Sequence, residues 1–81
     1  MTETTARLEN WYIRHGDIDN YVIIGNVYDD AKNRFHNGIQ IRTSFISYED
    51  YPVDSLDKGA VVETLNSNYL LGEKFVEENN E

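Results

Sequence analysis

Hydrophobic and polar positions alternate in two segments of this chain, 8–14 and 39–46, and β-branched and aromatic residues form a run at 21–28, patterns that are typical of β-strands. In chain order, the strand candidates are residues 8–14, 21–28, 39–46, 60–65 and 69–71. No segment keeps an apolar period of 3.6 residues, and the best helical candidate, residues 72–79, is short and acidic. The pattern therefore predicts a mainly β fold.

Turn-forming residues separate the strand candidates. His15-Gly16-Asp17 follows the first candidate, where glycine and aspartate favour a turn. Asn37-Gly38 is the sequence that a type I′ hairpin turn favours, and we expect it to pair Arg34-Phe35 with the strand at 39–46. Gly25 lies inside a run of β-branched and aromatic residues, which predicts a bulge or a close backbone approach at that point.

Strands that recur with turns between them favour an antiparallel sheet, either twisted and open or closed as a small barrel. We expect four to five antiparallel strands, followed by a short acidic C-terminal tail or helical turn. Ile46 breaks the alternation along 39–46, so either face of that strand could be the buried one. With 81 residues the chain is expected to form one domain, residues 1–81, with disordered ends at 1–6 and 76–81.

Composition narrows the chemistry that the chain can offer. It contains no cysteine, which excludes disulfides, thiolate nucleophiles and sulfur-based zinc sites. Residues 1–5 lack the basic segment and apolar run of a signal peptide, and no apolar stretch approaches the roughly 20 residues that cross a bilayer. We therefore expect a cytoplasmic protein that does not contact membranes.

No residue pattern points to catalysis. The serines lack the context of a nucleophile elbow, and the chain has neither a phosphate-binding loop nor a G-x-G-x-x-G sequence. His15-x-Asp17-x-Asp19 and Asp29-Asp30 could in principle hold a cation, but solvated turns explain both and neither matches a calcium loop. We expect no enzymatic activity, no cofactor and no metal site.

Acidic residues are concentrated in the second half of the chain. Nine of the fifteen lie at 49–81, opposed only by Lys58 and Lys74, so this half carries a formal charge of −7 and residues 1–48 carry −1. Such a surface repels nucleic-acid phosphate and attracts basic grooves on other proteins, where carboxylates can take the place of phosphates in an arginine fork. The candidate partner-binding residues are Glu49, Asp50, Asp54, Asp57 and Glu63.

Two interpretations of this acidic half remain open. It could simply be a solvated surface that keeps the protein in solution, or it could bind a protein or nucleoprotein with a basic surface. Direct binding to nucleic acid is not expected at a sequence pI near 4.5, because phosphate contacts need clustered lysine and arginine.

Several segments resemble small proteins carried by bacteriophages and prophages, which often show a tryptophan near the start, then G-x-V, then R-F-x-x-G-x-x-I-x-T-S. The matching segments here are Trp11, Gly25-Asn26-Val27-Tyr28, the run from Arg34 to Ile46, and Val62-Glu63-Thr64. The resemblance covers residues 10–72. It implies an anti-defence role inside the host cell, as an inhibitor of immune complexes of the anti-CRISPR kind or as a sponge that sequesters a nucleotide signal.

The acidic half favours the first of these roles, an inhibitor that blocks a host defence protein or nucleoprotein by occupying its basic surface. For the sponge alternative, the resemblance implies phosphate contacts at Arg34, Arg42, Thr43 and Ser44, with an aromatic ring on the base. A hairpin strand would explain the same residues without any ligand. A third hypothesis is a phage structural or assembly protein, and an exposed edge strand could pair two copies as a homodimer.

Overall fold

The computed structural model describes residues 4–65 and 67–76, and every strand in these ranges belongs to one sheet. The strands are β1 (Ala6–His15), β2 (Asn20–Tyr28), β3 (Gln40–Arg42), β4 (Ile46–Ser47), β5 (Val61–Glu63) and β6 (Asn68–Leu71), with one 3₁₀ turn at Val53–Ser55. Across the sheet the order is β3-β2-β1-β6-β5, and β4 pairs with β2 beside β3. The prediction of a mainly β fold is confirmed.

The sheet is mixed and open. β1 runs antiparallel to β2 but parallel to β6, with Ala6 opposite Tyr69 and Leu8 opposite Leu71. Parallel neighbours need a long crossover connection, which residues 48–60 supply before the β5–β6 hairpin joins the sheet. Among the described residues no pairing joins the outer strands β3 and β5. Of the two predicted alternatives, the sheet is therefore the open one and does not close into a barrel.

A bulge in β1 lies directly opposite Gly25. Asn10 and Trp11 together face this one residue of β2, and Asn10 has a φ of 57°, which asparagine tolerates. A Cβ on Gly25 would lie 3.0 Å from the Cβ of Trp11, so the close approach predicted from the sequence is present. The bulge places Trp11 in the core, where its indole Nε1–H donates to the Gly72 carbonyl at 3.0 Å.

A second bulge splits the predicted strand at 39–46 into β3 and β4. The register against β2 shifts by one residue, because residues 43–45 face only two residues of that strand. The extra residue turns Ile46 into the core at 3% exposure and leaves the ring of Phe45 outside at 66%. The break in alternation at Ile46 is therefore the trace of this bulge in the sequence.

The predicted Asn37-Gly38 hairpin turn takes another form. A type I′ turn needs positive φ at both central residues, and only Gly38 has it, at 90°. Residues 36–39 are closed by a 3.3 Å hydrogen bond from the last N–H to the first carbonyl, as in a type II turn. The expected partner, Arg34-Phe35, is not a strand. The backbone N–H of Arg34 donates to the Asp30 carboxylate at 2.8 Å instead of to a neighbouring strand.

Described residues near both ends of the chain are bonded to the sheet. Ala6 is buried in β1, and the Thr5 N–H donates to the Asn68 carbonyl at 2.6 Å, while the disorder expected at 1–6 and 76–81 stays a prediction. Residues 72–76 form no helical turn, because they run beside β1 and the Phe75 N–H donates to the Trp11 carbonyl at 2.7 Å. The predictions of disorder and of a C-terminal helical turn also cover residues 1–3 and 77–81, which lie outside the described residues. Within the described ranges no helix has the length and apolar character needed to cross a bilayer.

The core lies on one face of the sheet, and residues 48–60 cover it. Leu56 is buried there, with Tyr51 and Val53 packed around it. On the opposite face Val22 and Ile24 are also nearly buried, at 5% and 8% exposure, but they do not belong to this core cluster. The sheet therefore has a covered face, beneath the crossover segment, and an outer face centred on β2.

Candidate functional site

Four of the five acidic candidates lie in the crossover segment, in residues 49–57, which we call the acidic loop. Within residues 4–65 and 67–76, none of these four carboxylates has a cationic side chain within 4.0 Å. The fifth, Glu63, ends the edge strand β5. All five are exposed: Glu49, Asp50, Asp54, Asp57 and Glu63.

Tyr51 ties the acidic loop to the rest of the structure. Its carbonyl accepts a hydrogen bond from the Tyr21 hydroxyl at 2.6 Å, and its own hydroxyl accepts the Glu63 N–H at 3.0 Å. Further along, the Leu56 N–H donates to the Val53 carbonyl at 3.1 Å and closes the 3₁₀ turn. The loop carboxylates thus project from a fixed backbone, and Glu63 is joined to the same structure.

The phenol of Tyr21 is protonated at neutral pH, as a free tyrosine is, and burial extends its protonated range to higher pH. Desolvation is the main cause that raises its pKa to about 12, and the nearby Tyr48 and Tyr51 raise it further. A phenol that stays neutral remains a hydrogen-bond donor. The bond from Tyr21 to the acidic loop is therefore retained across the physiological pH range.

Arg34, the first phosphate contact of the sponge hypothesis, forms an ion pair with Asp30. Its Nε and Nη2 each lie 3.1 Å from the Asp30 carboxylate, whose side chain is only 1% exposed. These charge-assisted hydrogen bonds, joined by the N–H groups of Arg34 and Lys32, lower the pKa of Asp30 to about 2. The charge of Arg34 is thereby neutralised within the loop that follows β2.

The two carboxylates of the Asp29-Asp30 pair are both engaged by arginine. Asp30 holds Arg34, and Asp29 accepts a hydrogen bond from the Arg7 guanidinium at 2.8 Å. Among the described residues, no three His, Asp or Glu side chains come together in a way that could hold a metal ion.

Arg42, Thr43 and Ser44, in contrast, do lie together at a pocket. One cavity of about 510 Å³ lies along these three residues, and an adjoining cavity of about 250 Å³ reaches Arg14. We call the two cavities together the arginine pocket. Its lining residues are Arg14, His15, Gly16, Val22, Arg42, Thr43, Ser44, Phe45 and Leu65.

The hydroxyl of Thr43 is already used within the sheet. Its Oγ1 accepts the Ile23 N–H at 3.0 Å and donates to the Ser44 carbonyl at 2.9 Å, and the residue is only 4% exposed. Thr43 therefore shapes the pocket wall rather than offering a donor to a ligand. The polar side chains that line the smaller cavity are those of Arg14, His15 and Arg42.

Sequence reasoning included Arg42 but missed Arg14 and Phe45 as pocket residues. Alternation did indicate that Arg14 points away from Trp11 and Ile13, which is correct. What it could not supply is the register that sets Arg14 beside β2 on the face where Arg42 also lies. The position of Phe45 could not be predicted either, because the second bulge decides that Ile46, and not Phe45, faces the core.

Comparisons with known proteins identified no match to this chain. No protein family, no curated protein and no solved structure matches it. The chemistry of the acidic loop and of the arginine pocket is therefore the basis for an argument about function.

Proposed function

We propose that this protein is a non-enzymatic inhibitor that presents its acidic loop to a basic surface of a host defence protein or nucleoprotein and blocks that surface by occupancy. One observation carries the proposal: four exposed carboxylates without an ion-pair partner among the described residues stand on a loop that is bonded to the core. Because the loop is already ordered, binding would cost little further conformational entropy.

The chemistry of the loop suits a groove that otherwise holds nucleic acid. Carboxylate oxygens accept the paired N–H groups of arginine as phosphate oxygens do. A formal charge of −8 on the whole chain would add long-range attraction to a cationic target and speed encounter. The phage or prophage setting, and with it the cytoplasm of a bacterial host, is supported by the sequence resemblance.

Affinity capture from bacterial lysate, compared between matched charge variants, tests the proposal. The test variant is Asp54→Lys/Asp57→Lys, which reverses two charges on the acidic loop. The control is Asp17→Lys/Asp19→Lys, which makes the same change of net charge in the exposed turn between β1 and β2. Circular dichroism of each purified variant confirms that the sheet is intact before capture.

We expect a basic protein or nucleoprotein that the unchanged chain and the control retain at low salt, and that the acidic-loop variant loses. Raising the ionic strength should release it, because exposed charge pairs are screened beyond about 10 Å at 0.1 M salt. Equal retention by both double variants would remove the acidic loop from the interface and end the proposal.

A further inference from the structure

Two arginines that are far apart in sequence meet on the outer face of the sheet. Arg14 on β1 lies opposite Val22, and Arg42 on β3 lies opposite Ile24, the next residue on the same face of β2. The arginines thus flank β2 from both sides, with backbones roughly 12 Å apart, because they are separated by two strand spacings across the sheet and by two residues along it. Both line the smaller cavity of the arginine pocket, so their guanidinium groups can reach one shared ligand.

Among the described residues, neither of these two guanidinium groups has a carboxylate partner. In the described part of the chain Arg7, Arg34 and Lys58 each pair with a carboxylate, whereas the side chains of Arg14 and Arg42 form neither an ion pair nor a hydrogen bond. In a chain with fifteen acidic and seven basic residues, carboxylates greatly outnumber their possible partners. Two neighbouring arginines left without one make a local cationic site on an otherwise acidic protein.

Apolar side chains form part of the pocket lining: Val22, Phe45 and Leu65. Val22 lines both cavities and is only 5% exposed, and such a buried apolar surface lowers the local dielectric and strengthens the attraction of the guanidinium groups for an anion. At the side stands the ring of Phe45, 66% exposed because the second bulge turns it away from the core. An exposed aromatic ring beside paired arginines offers stacking for a planar group and charge for an anionic group.

We propose that the arginine pocket binds a nucleotide, with its phosphate between Arg14 and Arg42 and its base against Phe45. Arginine forks match phosphate oxygens in geometry and charge, and an aromatic side chain stacks on any base. This site is separate from the acidic loop, which lies over the covered face, so it goes beyond the inhibitor function and stands or falls independently of it.

The charge distribution favours a small nucleotide over a nucleic-acid strand. A strand would have to continue past the pocket across a protein of net charge −8, where each further phosphate meets repulsion. A mononucleotide feels mainly the local field of the two arginines. The cavities, about 250 and 510 Å³, are also of a size that suits a small ligand.

Titration of the ¹⁵N-labelled protein with adenosine 5′-monophosphate, followed by NMR amide shifts, tests this site. We expect concentration-dependent shifts at millimolar nucleotide, centred on Gly16, Val22 and residues 44–45. Arg14→Gln and Arg42→Gln should each weaken binding by about tenfold or more, as expected for loss of a hydrogen bond to a charged group. Both arginines are exposed, so the amide spectrum of each variant should otherwise be unchanged.

Two controls separate the phosphate contact from the base contact. Arg7→Gln removes the same charge from the same strand but outside the pocket, and should leave the affinity unchanged. Phe45→Ala should weaken adenosine monophosphate by about fivefold or more through lost stacking, yet leave ribose 5-phosphate, which lacks the base, unaffected.

Three results would overturn the proposal. The first is an absence of shifts at millimolar nucleotide, and the second is an equal loss of affinity in Arg7→Gln. The third is a single-stranded oligonucleotide that binds more tightly than the mononucleotide at physiological salt, which would assign the arginines to nucleic acid instead.

Discussion

Thr43 makes two hydrogen bonds to Ile23, one with its backbone and one with its side chain. The Thr43 N–H donates to the Ile23 carbonyl at 3.0 Å, and its Oγ1 accepts the Ile23 N–H at 3.0 Å. The hydroxyl thus takes the place of a ladder carbonyl where the second bulge interrupts pairing with β2. It satisfies a buried backbone donor that the bulge would otherwise leave unpaired.

Replacing Thr43 with valine should therefore destabilise the protein by about 1–3 kcal/mol, because the shape is kept while the buried Ile23 N–H loses its acceptor. Urea denaturation followed by tryptophan fluorescence measures the change. The exposed Thr4 supplies the control, and Thr4→Val should stay within about 0.5 kcal/mol of the unchanged protein. Equal stability of the two variants would mean that the bulge does not need this hydroxyl.

The contact between Gly25 and the β1 bulge predicts a steric cost for any side chain at this position. In Gly25→Ala the new Cβ would lie 3.0 Å from the Trp11 Cβ and 3.3 Å from the Glu9 carbonyl oxygen. Relieving this contact requires backbone movement, so we expect a loss of about 1–3 kcal/mol in the free energy of unfolding.

Gly59 offers the comparison, since a Cβ there meets nothing within 4 Å and its φ of 94° is of a sign that asparagine tolerates. Gly59→Asn should cost clearly less than Gly25→Ala in the same urea titration. A Gly25→Ala variant as stable as the unchanged protein would show that the bulge adapts without strain.

The Asp30–Arg34 pair should make stability depend on acid pH. The pKa of Asp30 is about 2 in the folded protein against 3.8 for a free side chain, so the unfolded state binds more protons between these values. The resulting contribution, about 2 kcal/mol, is present above about pH 4 and is lost as the pH falls through about 2. Thermal unfolding measured at a series of pH values should show this fall.

Asp30→Asn should lower stability at neutral pH and reduce its dependence on acid pH, because the amide cannot hold Arg34 by charge. Asp50→Asn makes the same chemical change on the exposed acidic loop and should retain the acid-dependent fall. If the two variants gave the same pH profile, the ion pair would not be the source of the effect.

The strands that can be predicted best are those whose hydrophobic pattern lies within the strand itself. The run of β-branched and aromatic residues at 21–28 locates β2 almost to its ends, because one face of that strand meets the core along its whole length and much of the other face is buried as well. The break at 43–45 was visible only as an irregularity at Ile46, since a bulge is a property of two paired strands. The parallel pairing of β1 with β6 left no local pattern at all.

The two candidate sites differ in the same way. Exposed acids on one continuous loop remain together whatever the fold, so the acidic loop could be identified from charge alone. The arginine pocket unites residues from β1 and β3 through the register of β2, which no local pattern encodes. The neutralisation of Arg34 likewise requires the turn that brings Asp30 back against it.

The bond between the Trp11 indole and the Gly72 carbonyl spans 61 positions of the chain, and the β1–β6 pairing spans a similar distance. The central strand β1 thus cannot pair with β6 until the ribosome has synthesised almost all of the described sequence. Contacts between such distant positions slow folding, because a large loop must close before they can form. During translation, the nascent chain therefore leaves one edge of β1 unpaired and the Trp11 indole without its hydrogen-bond acceptor until Gly72 has been added.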